Sequence, residues 1–313
     1  DYLCDGVDDE VEINAAAQDI PNSGGEILLL DGTYNISNYI SLKIYTTLSG
    51  TGRASTRLVR TGVSDYGTVR AMLVLPNECE LKNLSISGGL SVFGSGDWSS
   101  VTDVLAGGGT KISNVSIGNS INDSFYLEPI MGPAMVVSNC DFGTCETAIH
   151  IDCNGEVIVS DSSFFSVPGS YIVRAIGILQ DDDQEKPLKS PLTVKMTNCI
   201  DRSVYGEVLL DGTGYSSITN CNFHAITIQM TQEEDAYMKP ERGRHVLLGN
   251  TFHPTNNSDA LITFGTGVNI CIAIGNILSG GNMVGTVVDN GENNIVYNGA
   301  SGGQVTLSPS GWS

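Results

Sequence analysis

The sequence predicts an all-β, right-handed parallel β-helix with a short helical cap at its N-terminal end. Three observations predict it: an asparagine-centred frame that recurs along the chain, apolar alternation at strand spacing beside it, and glycine-rich turns between copies. The frame reads apolar–x–Asn–apolar or Cys–x–apolar. It appears as LKNLSI (81–86), ISNVSI (112–117), VSNCDF (137–142), VSDSSF (159–164), MTNCI (196–200), ITNCNF (218–223), LGNTF (248–252) and IGNIL (274–278). Its centres are Asn83, Asn114, Asn139, Asp161, Asn198, Asn220, Asn250 and Asn276, and a weaker ninth copy centres on Asn298.

The eight centres are spaced by 31, 25, 22, 37, 22, 30 and 26 residues. A period in the low twenties with insertions in some copies is the mark of a solenoid. Runs such as Leu192–Val194–Met196 alternate with the period of a strand rather than a helix. One such strand cannot bury its own face, so successive coils must stack. The central Asn is expected at a turn, with a buried side-chain amide bonding to the next coil. The repeats divide the chain into a cap with first coils (1–60), a β-helix body (61–300) and a tail (301–313).

Residues 8–20, DDEVEINAAAQDI, read as the capping helix. Asp9 is placed as N-cap with Glu12 three residues on, a capping-box arrangement. Val11, Ile13, Ala15, Ala16, Ala17 and Ile20 supply an apolar side, and Pro21 stops the helix. The acidic group Asp5, Asp8, Asp9 and Glu10 reads as a helix start rather than a calcium loop, because carboxylates are favoured at helix N-termini.

Composition excludes some partners. The chain has 313 residues, a net charge of −20 and a pI near 4.3, which argues against nucleic acid because phosphate contacts need Lys and Arg. The same charge disfavours a bare polyanion unless a cation bridges the two. No apolar run approaches the ~20 residues of a membrane span, so membrane insertion is not expected. No signal peptide is recognised, and a chain opening at Asp1 fits a mature product, a fragment or the ordered part of something longer. Of eight cysteines, Cys140, Cys199 and Cys221 follow a central Asn, where other copies carry Leu84, Val115, Thr251 and Ile277. They are expected to be small buried hydrophobes in one inward column. Cys145 and Cys153 could pair; Cys4, Cys79 and Cys271 are left open. Without a CxxC pair, zinc is not expected.

The segments GGEILLLDGTYNI (24–36) and LSGTGRASTRL (48–58) follow the helix. In Gly24, Gly25, Gly32, Tyr34, Leu48, Gly50 and Gly52 the chain resembles the pectate-lyase-like right-handed β-helix proteins. Its opening, DYLCDGVDDEVEINAA, is similar to versions in phage tail and appendage proteins and microbial surface proteins. The resemblance implies a virion or cell-surface, extracellular location, a polysaccharide or cell-surface glycan as partner, and assembly as a homotrimer or filament. It does not choose an activity, because the family spans lyases, hydrolases, epimerases, tailspikes and inert adhesins. Neither the lyase arginine motif nor the paired-Asp polygalacturonase motif matches any stretch.

Counting from the frame centre exposes a second column. Asp152, Asp211 and Asp289 each lie 13 residues after a centre and close an apolar strand. Glu233 falls at the same offset, Glu128 one residue later, and Asp181 is aligned through its strand; the Asn250 coil puts Thr263 there. Glu128, Asp152, Asp181 and Asp211 are thus the candidate catalytic carboxylates, acting as acid and base or nucleophile at the spacings of retaining or inverting glycosidases. Asp152, Asp181 and Asp211 are also candidate calcium ligands, since mutual repulsion between carboxylates is relieved by a hard cation. No cofactor is required. Asp before Gly is also ordinary turn chemistry, which is the competing reading.

Two insertions, 180–190 and 232–244, leave the frame near that edge, and lengthening loops cluster on a solenoid's binding face. They would wall a glycan groove with Asp181, Asp182, Asp183, Glu185, Glu233, Glu234, Tyr237 and Arg242, and a loop at 92–100 adds Phe93 and Trp98. Among four histidines, only His150 stands close to a column Asp, Asp152. The leading function is extracellular glycan recognition at the acidic edge. Polysaccharide depolymerisation by paired carboxylates, as hydrolase or lyase, is the alternative, and a structural spacer or filament subunit is the third.

Overall fold

The structure, a computed structural model, describes residues 2–61, 72–88, 92–94, 108–118, 123–127, 133–145, 147–152, 155–165, 168–176, 192–202, 205–211, 214–224, 226–231, 244–253, 262–264, 271–278, 287–289, 295–298 and 305–307. They form a right-handed parallel β-helix. Each coil contributes strand segments to a 19-stranded sheet that bends at the frame centre, then one strand to a separate 10-stranded sheet. In the coil that begins at Met135, for example, Met135–Ser138 and Asp141–Phe142 belong to the larger sheet and Thr147–Asp152 to the smaller one. All described pairings are parallel except the last, where Val305–Leu307 runs antiparallel to Ile295–Asn298.

The asparagine frame works through the backbone. Asn83, Asn114, Asn139, Asp161, Asn198 and Asn220 all take left-handed conformations, with φ between 49° and 58°. Asn and Asp tolerate this region because a short polar side chain bonds locally, whereas a β-branched residue would be strained there. The amides form a ladder from coil to coil. Asn114 Nδ2 donates to Asn83 Oδ1 at 2.7 Å, Asn139 Nδ2 to Asn114 Oδ1 at 3.3 Å, and Asn198 Nδ2 to Asp161 Oδ1 at 3.1 Å. The ladder is not buried, contrary to expectation: Asn139, Asp161, Asn198 and Asn220 are exposed.

The frame shifts by one residue in the last two copies. There the left-handed residue is glycine, Gly249 (φ 64°) and Gly275 (φ 67°), which meets no Cβ penalty in that region. Asn250 and Asn276 move inward to the position of Cys221 and are fully buried. Asn250 Oδ1 accepts from the Cys221 N–H at 2.9 Å. Its Nδ2 donates to the Ile218 carbonyl at 2.8 Å and to Asn276 Oδ1 at 3.0 Å. Cys140, Cys199 and Cys221 are buried as expected, but the column continues through Ser162, Asn250 and Asn276 rather than Thr251 and Ile277. Cys153, the suggested partner of Cys145, lies outside the described residues.

Two residues past the cysteine column, Phe142 stacks on Phe164 with centroids 5.0 Å apart, and Phe223 meets Phe252 at 5.4 Å. Such rings each remove about 150–250 Å² from water. Between the two pairs the same position holds Asp201, buried like its neighbours.

The cap helix runs Glu10–Asp19. It buries Ile13 and Ala17 but leaves Val11 60% exposed. Asp9 makes no side-chain cap bond, so the capping box does not form. Its carboxylate instead accepts from the backbone N–H of Gly6 and of Asn35, and Glu10 accepts from Ser37 and Asn38. These acidic residues dock the helix onto the first coil rather than close its own N-terminus.

Candidate functional site

The candidate site lies on the smaller sheet. Its core-facing positions are apolar: Ile149, Val173, Val208 and Ile228 form one buried column, and Ile151, Ala175, Leu210 and Met230 the next. Side chains alternate across a strand, so His150, Arg174 and Leu209, between these columns, belong to the outer face. In register their position continues through Tyr126 and Phe93 in one direction and Gln229 and Thr263 in the other, one per coil, at about 4.8 Å per step. A second register position holds Thr147, Tyr171, Glu207 and Thr227, and a third holds Asp152, Ile176, Asp211 and Thr231.

This register corrects the acidic column. Asp152 and Asp211 do share a position, but Ile176 lies between them, so the intervening rung is apolar and Asp181 does not occupy it. The rung after Asp211 is Thr231, not Glu233. Asp289 pairs with Phe264, in the column of Met230 and Leu210, and so belongs to a different column altogether. Asp152 and Asp211 therefore stand two strands apart, about 9.6 Å along the sheet. Asp152 is placed by its strand, and Asp211 is half-buried. Glu128, Asp181, Asp182, Asp183, Glu185, Glu233, Glu234, Tyr237, Arg242 and Trp98 lie outside the described residues. Phe93, expected in a loop, is part of a strand, Val92–Gly94, and joins the column of Tyr126 and His150. The segments 177–191 and 232–243 follow Ile176 and Thr231, which flank Asp211 in register, so both attach at the edge marked by that aspartate.

Sequence reasoning missed Glu207, Tyr171 and Arg174. Burial raises the Glu207 carboxyl above its ordinary pKa, because a half-buried carboxylate loses hydration. The Arg174 guanidinium carbon lies 5.7 Å from the centre of the Tyr171 ring, a cation–π contact. His150 is buried next to Arg174 in the same column. In GEVLLD the alternation of Glu207 and Asp211 with apolar residues was a readable signal, whereas Tyr171 and Arg174 are three residues apart and come together only through the register shift between Tyr171 and Val173.

Two other titratable groups serve the fold. His245 and Ser216 are both buried, with Nδ1 2.6 Å from Oγ. Burial pushes the His245 pKa down to about 4. Ligand atoms of Cys4, Asp9 and Glu12 lie within 4.8 Å of one another. Burial and then the neighbouring carboxylates push the Cys4 thiol up to about 11, so it stays protonated at neutral pH.

No protein-family profile matches the sequence, and no curated protein sequence matches it. Solved structures with the same fold do. The tailspike protein of E. coli bacteriophage HK620, in a mutant bound to a pentasaccharide, superposes with a TM-score of 0.62 at 12% identity, over 95% of this chain and 60% of its own. The A-module of mannuronan C-5 epimerase AlgE6 from Azotobacter vinelandii gives 0.56 at 14%, over 96% of this chain and 93% of its own. ORF18 of Geobacillus virus E2 gives 0.55 at 14%, over 97% of this chain and 61% of its own. At these identities the likeness is one of fold. The chain spans about three fifths of the two viral proteins. Among the described residues no helix is long and apolar enough to cross a membrane.

Proposed function

We propose that the protein is an extracellular glycan-binding β-helix of the phage-tail or microbial-surface kind, and that polysaccharide lies across the outer face of the smaller sheet. The observation that carries this reading is the cluster formed by Tyr171, Arg174, His150, Glu207 and Asp211 on three adjacent strands. Sugars present an apolar ring face and a hydroxyl rim, and this cluster supplies an aromatic ring beside charged donors and acceptors at matching spacing. That one structural neighbour was solved with a pentasaccharide and another is a mannuronan epimerase supports the reading. A calcium ion held between Asp211 and the glycan belongs to the same proposal, and binding that survives a chelator unchanged would remove it. The test is a glycan array of bacterial surface polysaccharides. Wild type should bind at least one, and Tyr171→Ala should weaken that binding while melting like wild type. A flat array would leave the spacer or filament role.

One observation favours a second reading, depolymerisation. A carboxyl raised by burial, as in Glu207, is suited to protonate a glycosidic oxygen. Release of reducing ends from the bound polysaccharide, lost in Glu207→Gln, would establish it.

A further inference from the structure

Arg174 carries a positive charge that no ion pair among the described residues neutralises. The ion pairs among the described residues join Arg53 to Asp141, Lys82 to Glu26 and Glu80, and Lys195 to Glu156, and Arg174 is in none of them. Its Nε is shut off from solvent and has no hydrogen-bond partner among the described residues. Glu207 is one candidate, on the adjoining strand opposite Tyr171 and two residues from Leu209, the register partner of Arg174. Yet burial is the one influence resolved on its carboxyl, which a guanidinium in contact would have pulled down. An unbonded, buried N–H on a cation is a costly arrangement. Arg174 as a whole is half-exposed, so its terminal N–H groups can meet an acceptor that arrives from outside.

We propose that Arg174 is a specificity-determining residue that takes the carboxylate of an acidic sugar. The inference rests on glycan binding at this face. A guanidinium matches a carboxylate with two parallel N–H···O bonds, and the Tyr171 ring holds the cation in place against the sheet. The surroundings narrow the class further. Glu207 and Asp211 flank Arg174, and the whole chain carries a net charge of −20. A polymer charged at every unit would meet repulsion on both sides of the single favourable contact. The glycan that fits is a heteropolysaccharide in which carboxylate-bearing sugars are separated by neutral ones.

The carboxylate could belong to a uronic acid or to an acidic substituent such as a pyruvate ketal. The experiment uses a panel of sparsely acidic bacterial polysaccharides in three forms: native, carboxyl-reduced, and treated with mild acid to remove ketals. A fully charged polyuronate and a neutral dextran serve as controls. Wild type should bind a native sparse polymer more tightly than the polyuronate or dextran, and carboxyl reduction should weaken binding roughly tenfold or more. Arg174→Gln should show a similar loss on the native polymer and little further loss on the reduced one, with Arg174→Lys in between. Loss on mild acid treatment assigns the carboxylate to a ketal, and retention assigns it to a uronic acid. Equal binding of native and reduced forms, or wild-type binding by Arg174→Gln, overturns the inference while leaving glycan binding intact. Failure to bind any polymer removes the binding reading itself, and this inference with it.

Discussion

Replacing Asn114 separates the two contributions that the asparagine ladder makes to stability. Asn114 sits in the left-handed region at φ 54°, donates to Asn83 at 2.7 Å and accepts from Asn139 at 3.3 Å. Alanine removes both bonds, worth about 0.5–1 kcal/mol each at a half-exposed site. It also places a Cβ without a compensating side-chain bond in a conformation that costs roughly 1 kcal/mol more than for Asn. The expected loss for Asn114→Ala is about 2–3 kcal/mol, or roughly 4–6 °C in melting temperature for a chain of this size. Asn114→Gly loses the same bonds but not the conformational freedom, so about half that loss is expected, part of it through the unfolded chain. Urea unfolding followed by far-ultraviolet circular dichroism gives both midpoints. If the alanine variant is no worse than the glycine variant, the left-handed backbone is not what selects Asn here. If neither midpoint moves, the ladder contributes nothing.

Other substitutions test the buried polar groups. Asn250→Ala should cost more than Asn114→Ala, on the order of 3 kcal/mol or more, because it strands the Cys221 N–H and the Ile218 carbonyl inside the core; a smaller loss in thermal melting would contradict the buried network. His245 is neutral in the fold, with its pKa near 4 against 6.5 when exposed. The unfolded chain thus takes up the proton first, and stability present above pH 6.5 is lost as pH falls towards 4, by on the order of 3 kcal/mol in full. Urea midpoints at pH 7 and pH 5 should therefore differ less in His245→Leu than in wild type. If calorimetry finds Asp201→Phe more stable than wild type, the interrupted ring stack is the weak rung of the core; a fall in stability means that the carboxylate holds a network together.

Much of the fold was legible because its repeat obeys backbone physics that a sequence records. A left-handed corner admits few residue types, so Asn and Asp mark it openly through six coils. The same physics explains where the reading slipped. In LGN and IGN the glycine takes the left-handed position and frees the asparagine to enter the core, so the centre of the frame lies one residue earlier than the Asn suggests. The docking of Asp9 and Glu10 onto the first coil was hidden for a different reason. Their partners, Asn35, Ser37 and Asn38, are 26 to 28 residues away in sequence, and a helix start looks alike whether its carboxylates serve the helix or a neighbour.

The site was less legible because a β-helix fixes position by register, whereas counting fixes it by length. The residue opposite Asp211 lies 15 after Asp161 in one neighbouring coil, where the strand Pro168–Ile176 carries register shifts, and 11 after Asn220 in the other. A fixed offset of 13 therefore finds Asp152 and Asp211 and misses the rungs beside them. A slip of one residue transfers a side chain to the opposite face, which is how Asp289 came to be grouped with outer residues although its strand pairs it with Phe264. At an offset of 13 from Asp161 the count falls on Arg174, which breaks an acidic series. In register that arginine stands between His150 and Leu209, in a column separate from that of Asp152 and Asp211, with Tyr171 and Glu207 on one side and Asp211 on the other. If the face binds glycan as proposed, the residue that breaks the carboxylate pattern is the one that would make it selective, since an all-acidic edge would repel every acidic glycan and distinguish poorly among neutral ones.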